Sequence, residues 1–305
     1  MPRWLLWALL AVLCWGVWAI VSKLIGGALS PAQSQALSTL GSLPVIAALC
    51  LSKRLTASGN RRRGIVLALV AGALVCLGNV AYYHALNLGG KASTVVPLTA
   101  LYPLVTILLA LLLLRERLGS IQIVGLCFSL LAIWLFNVPG VEGWLTGWLA
   151  FALVPVAVWG VAGLLQKLST NEISGELSTL WFLVAFIPVG VVILLLQPLE
   201  ASVSARVWLL VGLLGFLFAL GNFAILNAFA SAGKASVVAP LAGLYPVVSV
   251  PAAILFLHEK VTAREWLAIF VAIASIIALA IERPGASNLV ETPTARGSPV
   301  DLHLR

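Results

Sequence analysis

A chain of 305 residues that is 62% hydrophobic and 9% charged, with a mean hydropathy of +1.11, is not an ordinary soluble domain. Such domains carry about a quarter charged residues, so this chain is expected to be an all-α integral membrane protein. Its net charge of +8 collects in short runs such as Arg61-Arg62-Arg63 near Lys53 and Arg54. No aromatic residues interleave with them, which argues against a nucleic-acid surface and for a membrane loop. Cys14, Cys50, Cys76 and Cys127 lie singly in apolar runs, so they read as lipid-facing or packing residues. Neither a disulfide framework nor a metal site is indicated, and no cofactor is expected.

An apolar stretch of about 20 residues crosses roughly 30 Å of hydrocarbon. That rule predicts ten transmembrane helices. Those of the first half cover 4–24, 32–51, 64–86, 94–114 and 121–138. Those of the second cover 145–168, 177–196, 207–229, 237–257 and 266–281. The first run follows Arg3 as a signal peptide would, yet it carries residue pairs that recur later in the chain, so it is read as a retained helix. Beyond 283, residues 284–305 are rich in Pro, Gly, Ser and Thr and are expected to form a disordered cytoplasmic tail.

The recurrence is the strongest signal. A shift of 143 positions lays Gly78–Leu118 on Gly221–Val261. Gly78-Asn79 then meets Gly221-Asn222, and Gly90-Lys91-Ala92-Ser93 meets Gly233-Lys234-Ala235-Ser236. Pro97-Leu98 meets Pro240-Leu241, Leu101-Tyr102-Pro103 meets Leu244-Tyr245-Pro246, and Glu116 meets Glu259. Upstream, Trp15-Gly16 with Lys23-Leu24 returns as Trp159-Gly160 with Lys167-Leu168. Two units follow, 1–140 and 141–283. Five spans per unit is an odd number, so the second enters the membrane upside down relative to the first. Inverted repeats of this kind build two similar gates and suit alternating access. Most Lys and Arg residues fall on one set of loops, which predicts that both termini are cytoplasmic.

Within this frame Pro97, Pro103, Pro240 and Pro246 are expected to kink the fourth and ninth spans. Tyr102 and Tyr245 beside them point a hydroxyl at a cavity or at another helix. Trp15 and Trp159 lie deep in their spans and could wall a cavity, whereas most of the other tryptophans read as belt or packing residues. Asn79 and Asn222 are costly in hydrocarbon and face either a cavity or a partner helix. Lys23, Lys91, Lys167 and Lys234 form matched pairs at the two mouths, where they either steer anions or snorkel to headgroups. Glu116 and Glu259 stand just past the kinked spans as gate residues or as charge-paired helix ends. No carboxylate lies within a span, so a proton relay has no seat. No catalytic motif of a hydrolase or metalloprotease is present, and no nucleotide-binding glycine loop marks an ATP-driven pump.

The pattern Lys-Ala-Ser, Pro-Leu, Leu-Tyr-Pro, Glu-Arg/Lys, written twice, resembles the EamA-type branch of the drug/metabolite transporter superfamily. That resemblance runs from about Trp4 to Ile281. It implies two inverted five-helix repeats around a central cavity and secondary transport of small metabolites, often export of amino acids. It places Trp15, Asn79, Tyr102, Trp159, Asn222 and Tyr245 among the lining residues. Carriers of sugar phosphates and nucleotide sugars in the same superfamily make anionic or phosphorylated metabolites the alternative. An intramembrane lipid-modifying enzyme is the reading from another class. The partners expected are a small-molecule substrate and membrane lipid, with a monomer as the simplest assembly and the cytoplasmic (inner) membrane as location.

Overall fold

A computed structural model of the chain describes residues 2–114, 119–136, 147–199, 203–231 and 235–281. The proposed tail, Glu116 and Lys234 lie outside the described residues. The described residues are helical throughout, apart from turns and one isolated β-bridge between Ala57 and Ile173. In chain order the helices are α1 (Arg3–Ile25), α2 (Pro31–Cys50), α3 (Arg61–Asn87), α4 (Ala92–Thr99), α5 (Pro103–Leu114) and α6 (Ser120–Phe136). They continue as α7 (Trp148–Thr170), α8 (Gly175–Val184), α9 (Phe186–Leu196), α10 (Ala205–Ala230), α11 (Ala235–Ala242), α12 (Pro246–Phe256) and α13 (Ala263–Ala280).

Among the described residues, eight helical stretches are long and apolar enough to cross a membrane, and Ser120–Phe136 is a shorter apolar one. The twenty-residue α2 is not among them, because Gln33, Ser34, Gln35, Ser38, Thr39 and Ser42 make it polar. Those polar groups turn inward. Ser38 and Thr39 donate to the Gln35 carbonyl at 2.9 and 3.2 Å, and Ser42 donates to the Thr39 carbonyl at 2.6 Å. Hydroxyls that bond back into their own helix leave no exposed polar group in hydrocarbon.

Three expected spans prove to be broken rather than continuous. The fourth breaks at Ala100–Tyr102 between α4 and α5, and the ninth breaks at Gly243–Tyr245 between α11 and α12. Pro103 and Pro246 stand directly after these two breaks. Each opens a new helix at its first position, where the missing N–H has no partner to lose. Pro97 and Pro240 do sit inside helices, in α4 and α11. The seventh span breaks at Ala185, because Pro188 has no N–H to offer the Val184 carbonyl.

Hydrogen bonds show which helix ends lie together. Lys23, near the end of α1, donates to the Leu86 carbonyl at the end of α3 and to the Gly90 carbonyl just beyond, at 3.0 and 2.7 Å. Next to Gly90, Lys91 reaches the start of α13 through Glu265. At the opposite end, Lys167 near the end of α7 donates to the Phe229 carbonyl at the end of α10, at 3.1 Å. There the α2–α3 loop docks on the α7–α8 turn, with Ser58 and Gly59 N–H on the Glu172 carbonyl and Ser169 Oγ on the Gly64 carbonyl. Thus α1 and α3 finish at the Lys91 end, while α7 and α10, their counterparts by sequence offset, finish at the Glu172 end.

Close helix contact depends on glycine. A Cβ on Gly41 would strike the Gly212 carbonyl, and one on Gly215 would strike the Ser38 carbonyl, so α2 and α10 touch backbone to backbone. Gly215→Val is expected to cost about 1–3 kcal/mol by overpacking. Gly212→Ala, whose methyl group meets open space, should leave stability unchanged. Thermal unfolding of the two variants in detergent makes the comparison.

Candidate functional site

The two broken stretches meet at the centre of the bundle, and the duplicated motifs explain how. Gly16 of α1 lies against the Tyr245 carbonyl, and Gly160 of α7 lies against the Tyr102 carbonyl, at 3.2 and 2.7 Å from the position a Cβ would take. A side chain at either glycine would hold its helix off the break. The tryptophan before each glycine then crosses to a third helix. The indole edge of Trp15 rests on Gly221 of α10, and that of Trp159 rests on Gly78 of α3. Trp15 also meets Tyr245 edge to face at 6.2 Å between centroids, and Trp159 meets Tyr102 at 6.4 Å. Every one of these contacts joins one sequence unit to the other.

These residues surround a cavity of about 50 Å³. Trp15, Tyr102, Trp159, Asn222 and Tyr245 line it, together with Trp18, Val75, Gln166 and Phe218. The space suits a few water molecules, less than a metabolite's volume. No charged side chain lines it. Its polar groups are amides, hydroxyls and the indole N–H groups of Trp15, Trp18 and Trp159. Gln166 Nε2 donates to Asn222 Oδ1 at 3.3 Å, and Asn222 Nδ2 donates to the Phe218 carbonyl at 2.9 Å. Tyr102 donates to the Ala239 carbonyl, and the Tyr245 hydroxyl shares a proton with Thr99, both at 3.3 Å.

Asn79 is the exception among the six expected lining residues. It is buried but does not line the cavity, and its Oδ1 has no hydrogen-bond partner among the described residues. The two halves have diverged here. Where the second half has Gln166 to serve Asn222, the first has Ser22 at the equivalent place, and Ser22 bonds the Ala19 carbonyl and the Tyr82 hydroxyl instead. The lining residues not foreseen from the sequence all sit one or two turns from foreseen ones. Trp18 follows Trp15 by one turn, Gln166 follows Trp159 by two, and Val75 and Phe218 precede the two asparagines by one. Helical periodicity applied to the duplicated residues carries that signal.

The described mouth lysines are engaged in the protein. Lys23 and Lys167 cap the carboxyl ends of α3 and α10, where orphan carbonyls and the helix dipole favour a cation. Lys91 donates to the Lys260 carbonyl at 2.8 Å and to both Glu265 oxygens at 2.8 and 3.0 Å. Beside it Glu259 accepts from the Ala92 and Ser93 N–H groups, each at 2.8 Å, at the positive end of α4. Gln122, the residue offset from Glu265 by the repeat, carries no charge and bonds Gly119 N–H and the Leu279 carbonyl. Among the described residues no group of His, Cys, Asp and Glu is arranged to hold a metal ion.

Residues 2–138 and 146–281 each match the model of the EamA-like transporter family. The chain belongs to that family. It is therefore an integral membrane protein and a membrane transporter of the drug/metabolite transporter superfamily, whose EamA branch consists of transporters rather than enzymes. A solved crystal structure aligns with this EamA-family chain over 92% of its length and 96% of the other chain, with a TM-score of 0.64 at 20% identity. At that identity it shares the fold. A Methanocaldococcus jannaschii protein described as uncharacterized is 35% identical over 74 residues, 24% of this chain and 53% of that protein's length.

The amide pair makes a test of the cavity wall. Gln166→Leu leaves the Asn222 acceptor buried and unpaired, at an expected cost of about 1–3 kcal/mol. Replacing both residues by leucine removes donor and acceptor together and should recover much of that loss. Thermal unfolding of the single and double variants reads the difference.

Proposed function

We propose that this transporter is a secondary carrier that exports or exchanges small neutral or zwitterionic metabolites, amino acids among them, across the cytoplasmic membrane. In this reading ten crossings form two inverted five-helix units, 1–140 and 141–283, with both termini cytoplasmic, and the units rock about the shared cavity. The observation that carries it is a small, aromatic, uncharged space held between the two broken stretches. An ion taken into such a low-dielectric site needs an opposite charge beside it, and none is present in the lining. A zwitterion can offset its own charges, and its polar groups find amide and hydroxyl partners in Gln166, Asn222, Tyr102 and Tyr245. The same observation weighs against the anionic and phosphorylated metabolites that the mouth lysines suggested, because Lys23 and Lys91 already bond protein groups.

Support for alternating access comes from the asymmetry of the ends. The Lys91 end is closed by an ion pair at 2.8 Å and by Glu259 across the start of α4. The offset partner of Glu265 is neutral Gln122, so the Glu172 end lacks an ion pair at the matching position and is held instead by Arg63 on Glu172 at 3.2 Å and by the docked α2–α3 loop.

Two measurements test the proposal. Proteoliposomes loaded with a transported amino acid should show saturable counterflow, which Trp159→Ala abolishes. Flux that rises linearly with concentration marks a channel and retires the carrier reading. Glu265→Gln weakens the latch by about 0.5–1 kcal/mol, a population shift of roughly two- to fivefold. In a chain without its native cysteines, Ser93→Cys should then react correspondingly faster with a membrane-impermeant maleimide. An unchanged rate removes the latch from the mechanism.

A further inference from the structure

A second hollow lies on the face of α10 turned away from the central cavity. The helices α2 and α10 touch at Gly41 and Gly215 and run in the same direction from there toward the Glu172 end. Beyond the contact Pro44 interrupts the hydrogen bonding of α2 and the helices stand apart. The gap is a groove of about 400 Å³ with walls of Val45, Ala48 and Leu49 on one side and Phe216, Leu220 and Phe223 on the other. It is open along its length, apolar, and set within the hydrocarbon-crossing part of α10. At its end stand Ser52, Arg54 and Glu176.

The arginine is placed rather than loose. Its carbonyl accepts from Ser174 Oγ at 2.8 Å and its N–H donates to Ser52 Oγ at 3.2 Å, so the loop that carries it is fixed to the start of α8. Its guanidinium is 83% exposed and 3.9 Å from Glu176, a separation too long for a fork-to-carboxylate hydrogen-bond pair. The donors that would make such a pair are therefore still open to an external oxyanion. Glu176 opposes an anion there, but Lys53, Arg61 and Arg62 crowd the same end, while Arg63 is paired with Glu172 at 3.2 Å. The local balance is positive. An apolar trough that ends in a fixed, underused arginine within a basic cluster has the charge and polarity sequence of one ligand class.

We propose that the α2–α10 groove is a binding site for an anionic phospholipid, with an acyl chain between Val45 and Leu220 and the phosphate on Arg54 and Ser52. Lodged there, the chain fills the splay beyond Gly41 and braces α10, whose other face carries Phe218 and Asn222 of the central cavity. The site stands independently of the substrate reading.

Native mass spectrometry of the full chain, titrated with phosphatidylglycerol and with phosphatidylcholine of the same acyl length, tests the assignment. One phosphatidylglycerol should bind about tenfold more tightly than phosphatidylcholine. Arg54→Gln should weaken that adduct about tenfold, and so should Ala48→Trp, which fills the groove. Arg62→Gln, which removes the same charge outside the groove, should leave it unchanged. Glycerol phosphate, a headgroup without tails, should not compete. Leu220→Trp fills the groove from the other wall and serves if Ala48→Trp does not fold. Equal weakening by Arg62→Gln reduces the effect to diffuse surface charge and overturns the site. So does undiminished binding in a folded groove-filling variant, equal affinity for phosphatidylcholine, or competition by glycerol phosphate.

Discussion

A helix that breaks inside hydrocarbon exposes backbone groups that no water can satisfy, and the rest of this structure is arranged around that constraint. The two at the centre of the bundle lie at Ala100–Tyr102 and Gly243–Tyr245. Each is closed by tight turns, with the Tyr102 carbonyl accepting from Val105 and Thr106, and the Tyr245 carbonyl accepting from Val248 and Ser249. Each is then covered by a helix whose glycine, Gly160 or Gly16, lets backbone approach backbone. Irregular chain at this depth is tolerated only inside protein or beside a cavity. Here it has both surroundings, and the site follows from the breaks.

Trp15 and Trp159 reach from one half to the other, so the halves meet at the centre through aromatic faces and glycine notches, beside the hydrogen bonds of Tyr102 to Ala239, Tyr245 with Thr99 and Thr106 to Gly160. Further polar contacts between the halves sit at the two ends, where Lys91, Glu259 and Glu265 join the start of α4 to the α12–α13 turn, and Glu172 joins the α7–α8 turn to the α2–α3 loop.

Exact duplication has been relaxed where each half does separate work. Gln166 serves Asn222, while its counterpart Ser22 serves Tyr82, so the cavity presents its amides from one side. Gln122 replaces the charge of Glu265.

Much of this was legible in the sequence. Hydropathy determined the class and most of the spans, because about 20 residues cross the hydrocarbon whatever they pack against. The offset of 143 positions marked Tyr102, Tyr245 and Asn222, and an offset of 144 marked Trp15 and Trp159, as residues kept in both copies, and all five line the cavity. Tertiary structure decided the rest, because it depends on pairs far apart in the chain. Nothing local says that Pro103 starts a helix rather than bends one, since that depends on whether the freed carbonyls find cover. Nothing local says that Lys23 ends on the Leu86 carbonyl, or that Asn79 turns away from the cavity while Asn222 faces it. A repeated motif records which residues were needed twice; only the packing of one copy against the other decides what each of them touches.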